Sequence, residues 1–132
     1  MTELIAYLDS SALVKLVAKE RESGALAAFL VDMEHRTSSR VSVVELSRAA
    51  ARHGPRALAG VDAVLEALEF IELDATLARG AAAVRPSSLR SLDAIHLASA
   101  AAVGDSLRAF VTYDARLADA AASLGLPVVA PA

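Results

Sequence analysis

The 132 residues suit one domain of ordinary size, and a hydrophobic share of 55% supplies a core, which excludes a mainly disordered chain. The lack of any cysteine excludes disulfides and thiolate metal sites. A net charge of −3 excludes nucleic-acid binding through bulk positive charge, so contact with RNA would have to rely on metal ions or a local arginine cluster.

The chain opens with MTELIAYLDSSALVKL, where Glu3 and Asp9 flank a short apolar run without a basic leader. Neither a signal peptide nor a membrane span is expected, and a cysteine-free chain suits a reducing cytoplasm. Leu4–Leu8 reads as a buried strand ending at Asp9. Ser10 or Ser11 then caps a helix carrying Ala12, Leu13, Leu16 and Val17. A second helix covers Ser23–Met33, with Leu26, Phe29, Leu30 and Met33 at helical spacing, and Arg36–Arg40 reads as a second strand. A helix opens at Ser42 and runs to about Arg52. Gly54-Pro55 punctuates, and one further helix extends to about Leu68. Phe70–Leu73 reads as a strand, Ala75–Val84 as a helix and Arg85-Pro86-Ser87-Ser88 as a loop. A helix from about Leu92 to Val103 follows, then a strand at Ala109–Thr112, a helix over Arg116–Leu124 and a last strand at Val128–Val129. This alternation predicts an α/β domain spanning residues 1–132, with helix layers on both faces of a mostly parallel sheet.

Acids follow the apolar runs. Asp9 ends the first strand, Glu45 lies just past the second, Asp114 follows the fourth, and Asp93 starts the helix leading into the fourth. In a parallel sheet the strands' carboxyl ends and the intervening helices' amino ends share one edge, where such folds bind ligands. Four carboxylates gathered there need protons or cations to coexist. Hard divalent ions with oxygen ligands, Mg²⁺ or Mn²⁺, suit that need. Each acid also has an ordinary alternative. Glu45 stands at capping-box spacing from Ser42, Asp93 lies in a first helical turn, Asp114 is placed as an N-cap and Asp9 as a turn residue.

The segments LDSSALVKL, VSVVELSRA, SLDAIHLASA and FVTYDARLADAA resemble, in order and spacing, the motifs of PIN-domain ribonucleases of the VapC type. The resemblance covers nearly the whole chain. It implies a three-layer PIN fold, with Asp9, Glu45, Asp93 and Asp114 as a catalytic and metal-binding acidic pocket and Ser11 and Thr112 as supporting hydroxyls. It further implies Mg²⁺- or Mn²⁺-dependent hydrolysis of RNA, with tRNA or ribosomal RNA as the target class. A cognate antitoxin and a homodimer are the implied partners, with no membrane involved.

Other polar residues are weaker candidates. His96 lies one turn from Asp93, within reach of the pocket, although packing or hydrogen bonding is the ordinary role of a lone helical histidine. His35 and His53 read as surface residues without companions. Lys15, Arg85, Arg90 and Arg116 are candidate contacts to RNA phosphates, with solvated helix or loop charge as the alternative. Ser10-Ser11 lacks the histidine and acid of a nucleophilic triad. A receiver domain would use Asp74 as phosphoacceptor, but Val128-Val129-Ala130-Pro131 supplies no lysine after the last strand. A haloacid-dehalogenase-type phosphatase would need an aspartate where Ser11 stands. The remaining alternative is a catalytically inactive PIN-like module that binds RNA or protein.

Overall fold

The structure, a computed structural model, describes residues 3–132; Met1 and Thr2, where the segment read for a leader begins, lie outside the described residues. Strand β1 (Ile5–Leu8) is the centre of the sheet. Its alternation sends Ala6 and Leu8 to one face and Tyr7 to the other, all three fully buried. A strand covered on both faces typically reads as an apolar run, as this one does. Around it lie β2 (His35–Ser39), β3 (Glu69–Ile71), β4 (Leu107–Val111) and β5 (Val128–Val129). The order is β3-β2-β1-β4-β5 and every pairing is parallel, with Ala6 opposite Arg36 and Tyr7 opposite Phe110.

The chain therefore leaves β1 toward β2 and β3, then returns to add β4 and β5 on the other side. The gap between β1 and β4 is the switch point at which open α/β sheets form a ligand crevice.

Two helix layers cover the sheet. On one face pack α1 (Ser10–Val17), α2 (Ser23–Val31), α3 (Ser42–His53), α4 (Pro55–Ala59) and α5 (Val61–Glu66). They bury Leu13, Leu26, Leu30, Leu46 and Val61 against Leu8 and Val111. The other face carries α7 (Ser91–Val103) and α8 (Ala115–Ser123), whose Leu97, Ala100 and Leu117 meet Tyr7 and Phe110. Helix α6 (Ala75–Ala82) packs against α7. No helix among the described residues is long and apolar enough to cross a membrane.

Several boundaries differ from the sequence reading. Helix α1 is capped by the carboxylate of Asp9, not by Ser10 or Ser11, so it starts one residue earlier. The single helix read after Gly54-Pro55 to about Leu68 is two short ones, because Gly60, a poor helix former, ends α4 and opens α5. A 3-10 turn at Gly104–Ser106 precedes β4, and Gly104 takes the left-handed φ of 76° that ends α7. Strand β2 is short of apolar residues yet buries Thr37, Ser38 and Ser39. Ser38 Oγ donates to the Leu8 carbonyl at 2.7 Å, which leaves it to accept from Ser42 Oγ at 2.7 Å. Those two bonds bind β2 to β1 and to the start of α3 without a hydrophobic contact.

Asp74 follows β3 and its carboxylate accepts from the Leu77 N–H at 2.8 Å, as the N-cap of α6. Asp74→Ala should cost about 0.5–2 kcal/mol of stability, the usual cost of a lost cap. Leu97→Ala, in the fully buried core, should cost about 2–5 kcal/mol. Urea denaturation of the two variants beside wild type checks both values; a change in Asp74→Ala much above the cap range would mean that capping is not its whole contribution to stability.

Candidate active site

The carboxyl edge of the β1–β4 crevice is organised by Asp9, only 2% exposed. One carboxylate oxygen accepts from the Ala12 N–H at 2.9 Å and from Ser11 Oγ at 2.7 Å; the other accepts from Thr112 Oγ1. Thr112 lies directly after β4, so this bond joins the ends of the two strands that flank the crevice. Thr112 Oγ1 also accepts from the Asp114 N–H at 3.1 Å, and Ser11 Oγ accepts from the Tyr113 N–H at 2.9 Å. The two hydroxyls expected to support the acids therefore do hold Asp9 and the turn that carries Asp114. Burial pushes the Asp9 carboxyl up from its ordinary value, against the pull of Thr112, Ser11 and Ala12.

Asp114 caps α8 through one oxygen, which accepts from the N–H groups of Arg116 at 2.9 Å and Leu117 at 3.1 Å. Asp93 stands in the first turn of α7 and is half-buried. Among the described residues it accepts no hydrogen bond. Burial raises its pKa first, then the Asp114 charge and, more weakly, that of Glu45; His96 and Arg90 pull the other way. The mutual repulsion expected of the cluster thus acts on Asp93, behind a larger effect of desolvation.

Glu45 makes no capping box. Val41 is the N-cap of α3, without a side-chain bond, and the Ser42 hydroxyl is turned to Ser38. Released from capping, Glu45 accepts from Ser10 Oγ at 3.2 Å and lies 2.7 Å from His96 Nε2. His96 is 1% exposed, and its Nδ1 stands 2.7 Å from the Tyr7 hydroxyl. Tyr7 in turn stacks on Phe110, with ring centroids 5.5 Å apart. Sequence reasoning missed Ser10 and Tyr7 and left His96 undecided. The only available signal was the alternation of β1, which turns Tyr7 toward the layer that carries α7.

The basic candidates divide. Lys15 pairs with Glu22 at 3.0 Å and Glu20 at 3.4 Å and lies 4.7 Å from the centre of the Tyr113 ring, so its charge is already engaged. Arg85, Arg90 and Arg116 are exposed. Arg116 lines a surface groove with Pro86, Ser88 and Leu89, which places it beside the loop that Arg85 and Arg90 flank. His53 is exposed as read, whereas His35 has a companion: its Nδ1 lies 2.8 Å from Glu69.

All four acids are oxygen donors at one edge, the chemistry that a hard divalent ion requires. Among the described residues, no three acid or histidine side chains close a metal cage by themselves. That is compatible with Mg²⁺, which keeps several waters and needs only one or two carboxylates beside a substrate phosphate.

The PIN domain family model matches residues 6–123. Ribonuclease VapC35 of Mycobacterium tuberculosis is 49% identical over 129 residues, covering 95% of this chain and 96% of the relative. Ribonuclease VapC46 of the same organism is 42% identical over 125 residues, again with 95% and 96% covered. Among solved structures, M. tuberculosis VapC20, described as a sarcin-ricin loop cleaving toxin, superposes with a TM-score of 0.74 at 18% identity, covering 96% of this chain and 99% of that one. The DNA-bound VapBC structure from Salmonella typhimurium gives 0.73 at 19% identity, with 98% of both chains covered. At such identities the superpositions speak for the fold; together with the family match and the VapC relatives, they place this chain in the PIN domain family as a VapC-type member.

Proposed function

We propose that the chain is a Mg²⁺- or Mn²⁺-dependent endoribonuclease and the toxin of a toxin–antitoxin pair, with the pocket of Asp9, Glu45, Asp93 and Asp114 as its active site. The observation that carries this reading is the state of Asp93. It has a carboxylate unclaimed by hydrogen bonds among the described residues, at the switch point, with its ionisation opposed by burial and by Asp114. A partly desolvated carboxylate with a like charge beside it, at a ligand crevice, is the mark of a functional site. The ribonuclease names of the relatives support the same activity.

Asp93, Asp114 and Asp9 would hold the ion, with Glu45 beside them. Bound metal supplies hydroxide near neutral pH and stabilises the charge that grows on the scissile phosphate. Each residue of the chain has a separable task. Thr112 and Ser11 keep the Asp9 carboxylate in a fixed orientation and exclude solvent from it. Asp114 commits one oxygen to α8 and presents the other to the pocket. Arg90 and Arg116 offer positive charge at the rim of an otherwise acidic site, where RNA phosphates would approach. A structured RNA, such as tRNA or ribosomal RNA, is the proposed target class. An antitoxin would close the pocket with an arginine, whose paired N–H groups match a carboxylate. The VapBC structures among the structural neighbours support a protein partner of that kind, and a homodimer is the proposed working state.

RNA cleavage by the purified protein should require Mg²⁺ or Mn²⁺ and stop in excess chelator; cleavage by protein verified as metal-free would refute the mechanism. Co-expression with the product of the adjacent gene should yield a stable complex without ribonuclease activity, read by co-purification and a cleavage assay. Asp93→Asn should abolish cleavage while leaving the metal-free fold intact or more stable. Because the folded pKa of Asp93 is raised, the folded protein binds more protons than the unfolded chain. Its contribution to stability is complete below the ordinary value of 3.8 and is lost as pH rises through the folded value. Melting temperatures measured without metal should therefore fall behind those of Asp93→Asn as pH rises from that value toward neutrality. Millimolar Mn²⁺ should restore the wild type alone.

A further inference from the structure

Among the described residues, Glu45 is the only one of the four acids bonded to the side chain of a residue from the opposite helix layer. It stands on α3, whose Leu46 and Ala50 belong to the core on one face of the sheet. His96 stands on α7, whose Leu97 and Ala100 belong to the core on the other. Their 2.7 Å contact bridges the layers at the carboxyl edge, one turn beyond Asp93. A glutamate on the first turn of a helix has three rotatable bonds and every reason to extend into water. Here Ser10 Oγ takes one oxygen and His96 Nε2 the other.

We propose that His96 is a positioning residue, with its imidazole locked by the Tyr7 hydroxyl so that Nε2–H holds the Glu45 carboxylate in the acidic pocket. The inference rests on the proposed nuclease site and assigns the orientation of one of its acids to a residue outside that acid set. The proton arrangement follows from what each partner can do. A tyrosine hydroxyl is ordinarily protonated and able to donate, and the Glu45 carboxylate can only accept, so Nε2 must carry a proton. Donation to Nδ1 leaves the ring proton on Nε2, facing Glu45. The Tyr7 ring cannot drift, because it is stacked on Phe110 and meets His96 edge-on at 5.8 Å. The chain Tyr7–His96–Glu45 therefore transmits the rigidity of β1 and β4 to an acid on α3. Partners that orient ligating groups in this way typically change metal affinity about 10- to 100-fold when removed.

The test is Mn²⁺ binding by calorimetry to wild type, His96→Ala, His96→Gln, Tyr7→Phe, Glu45→Gln and the double variant His96→Ala/Glu45→Gln, each checked for folding by circular dichroism. RNA cleavage is followed in parallel. His96→Ala should weaken Mn²⁺ binding about tenfold or more. His96→Gln, which keeps a donor near Nε2, should recover most of that loss. In the Glu45→Gln background, His96→Ala should add little, because its effect passes through Glu45. If His96→Ala does not fold, His96→Gln replaces it in the cycle, and Tyr7→Phe, which keeps the stack on Phe110, tests the lock: weaker Mn²⁺ binding is expected. Unchanged Mn²⁺ affinity in folded His96→Ala or in Tyr7→Phe, or losses that add fully in the double variant, would overturn the proposal. Asp93→Asn in the same assays separates this failure from that of the nuclease reading: retained cleavage there would defeat the site itself, whatever His96 does.

Discussion

The structure turns on a buried carboxylate. Asp9 is almost wholly removed from water at the end of the central strand, and an ion there is tolerable only if its oxygens are satisfied. The satisfaction comes from two sides: locally from the first turn of α1, through the Ala12 N–H and the Ser11 hydroxyl, and from across the crevice through Thr112, 103 positions away. To place those donors, β1 and β4 must lie side by side, α1 must begin at Asp9, and the segment after β4 must turn sharply enough to bring Thr112 inward. The same turn aims Asp114 at the pocket. One electrostatic requirement thus fixes the strand pairing at the switch point, the helix start and the position of a second acid.

Capping and site formation are therefore the same interactions seen twice. Asp9 and Asp114 each close the amino end of a helix and each stand in the pocket. A helix amino end offers unpaired N–H groups and a favourable field for negative charge. That local support offsets part of the cost of holding like charges together. Asp93 is the exception, with no such partner among the described residues.

Much of this was legible because it is local. The apolar run before Asp9, the helical spacing after it, and the acids that follow several strands specify the layer order and the edge on which chemistry gathers. What stayed hidden depends on pairs distant in sequence. Tyr7 and His96 are 89 positions apart and His96 and Glu45 are 51 apart, and no periodicity reports such a meeting. Ser38 lies in a segment read as a strand, and its burial becomes intelligible only when the Leu8 carbonyl and Ser42 are seen to consume its hydroxyl. Ser10 and Ser11 were credible caps by residue type, and only the geometry reveals that both hydroxyls are turned toward carboxylates while Asp9 does the capping. The break at Gly60 was visible as a glycine but not as a boundary, since the apolar pattern continues across it.

The Tyr113 hydroxyl donates to the Pro131 carbonyl at 2.7 Å, on a segment that has just left β5. Since β5 runs parallel to β4, that segment emerges on the same edge as the acids, whereas β1 begins on the opposite one. The two ends of the chain are thus unequal handles. A purification tag, fluorophore or fusion partner joined after Ala132 would sprout beside the mouth of the pocket and compete with whatever docks there, while one joined ahead of Leu4 would trail from the far side of the sheet.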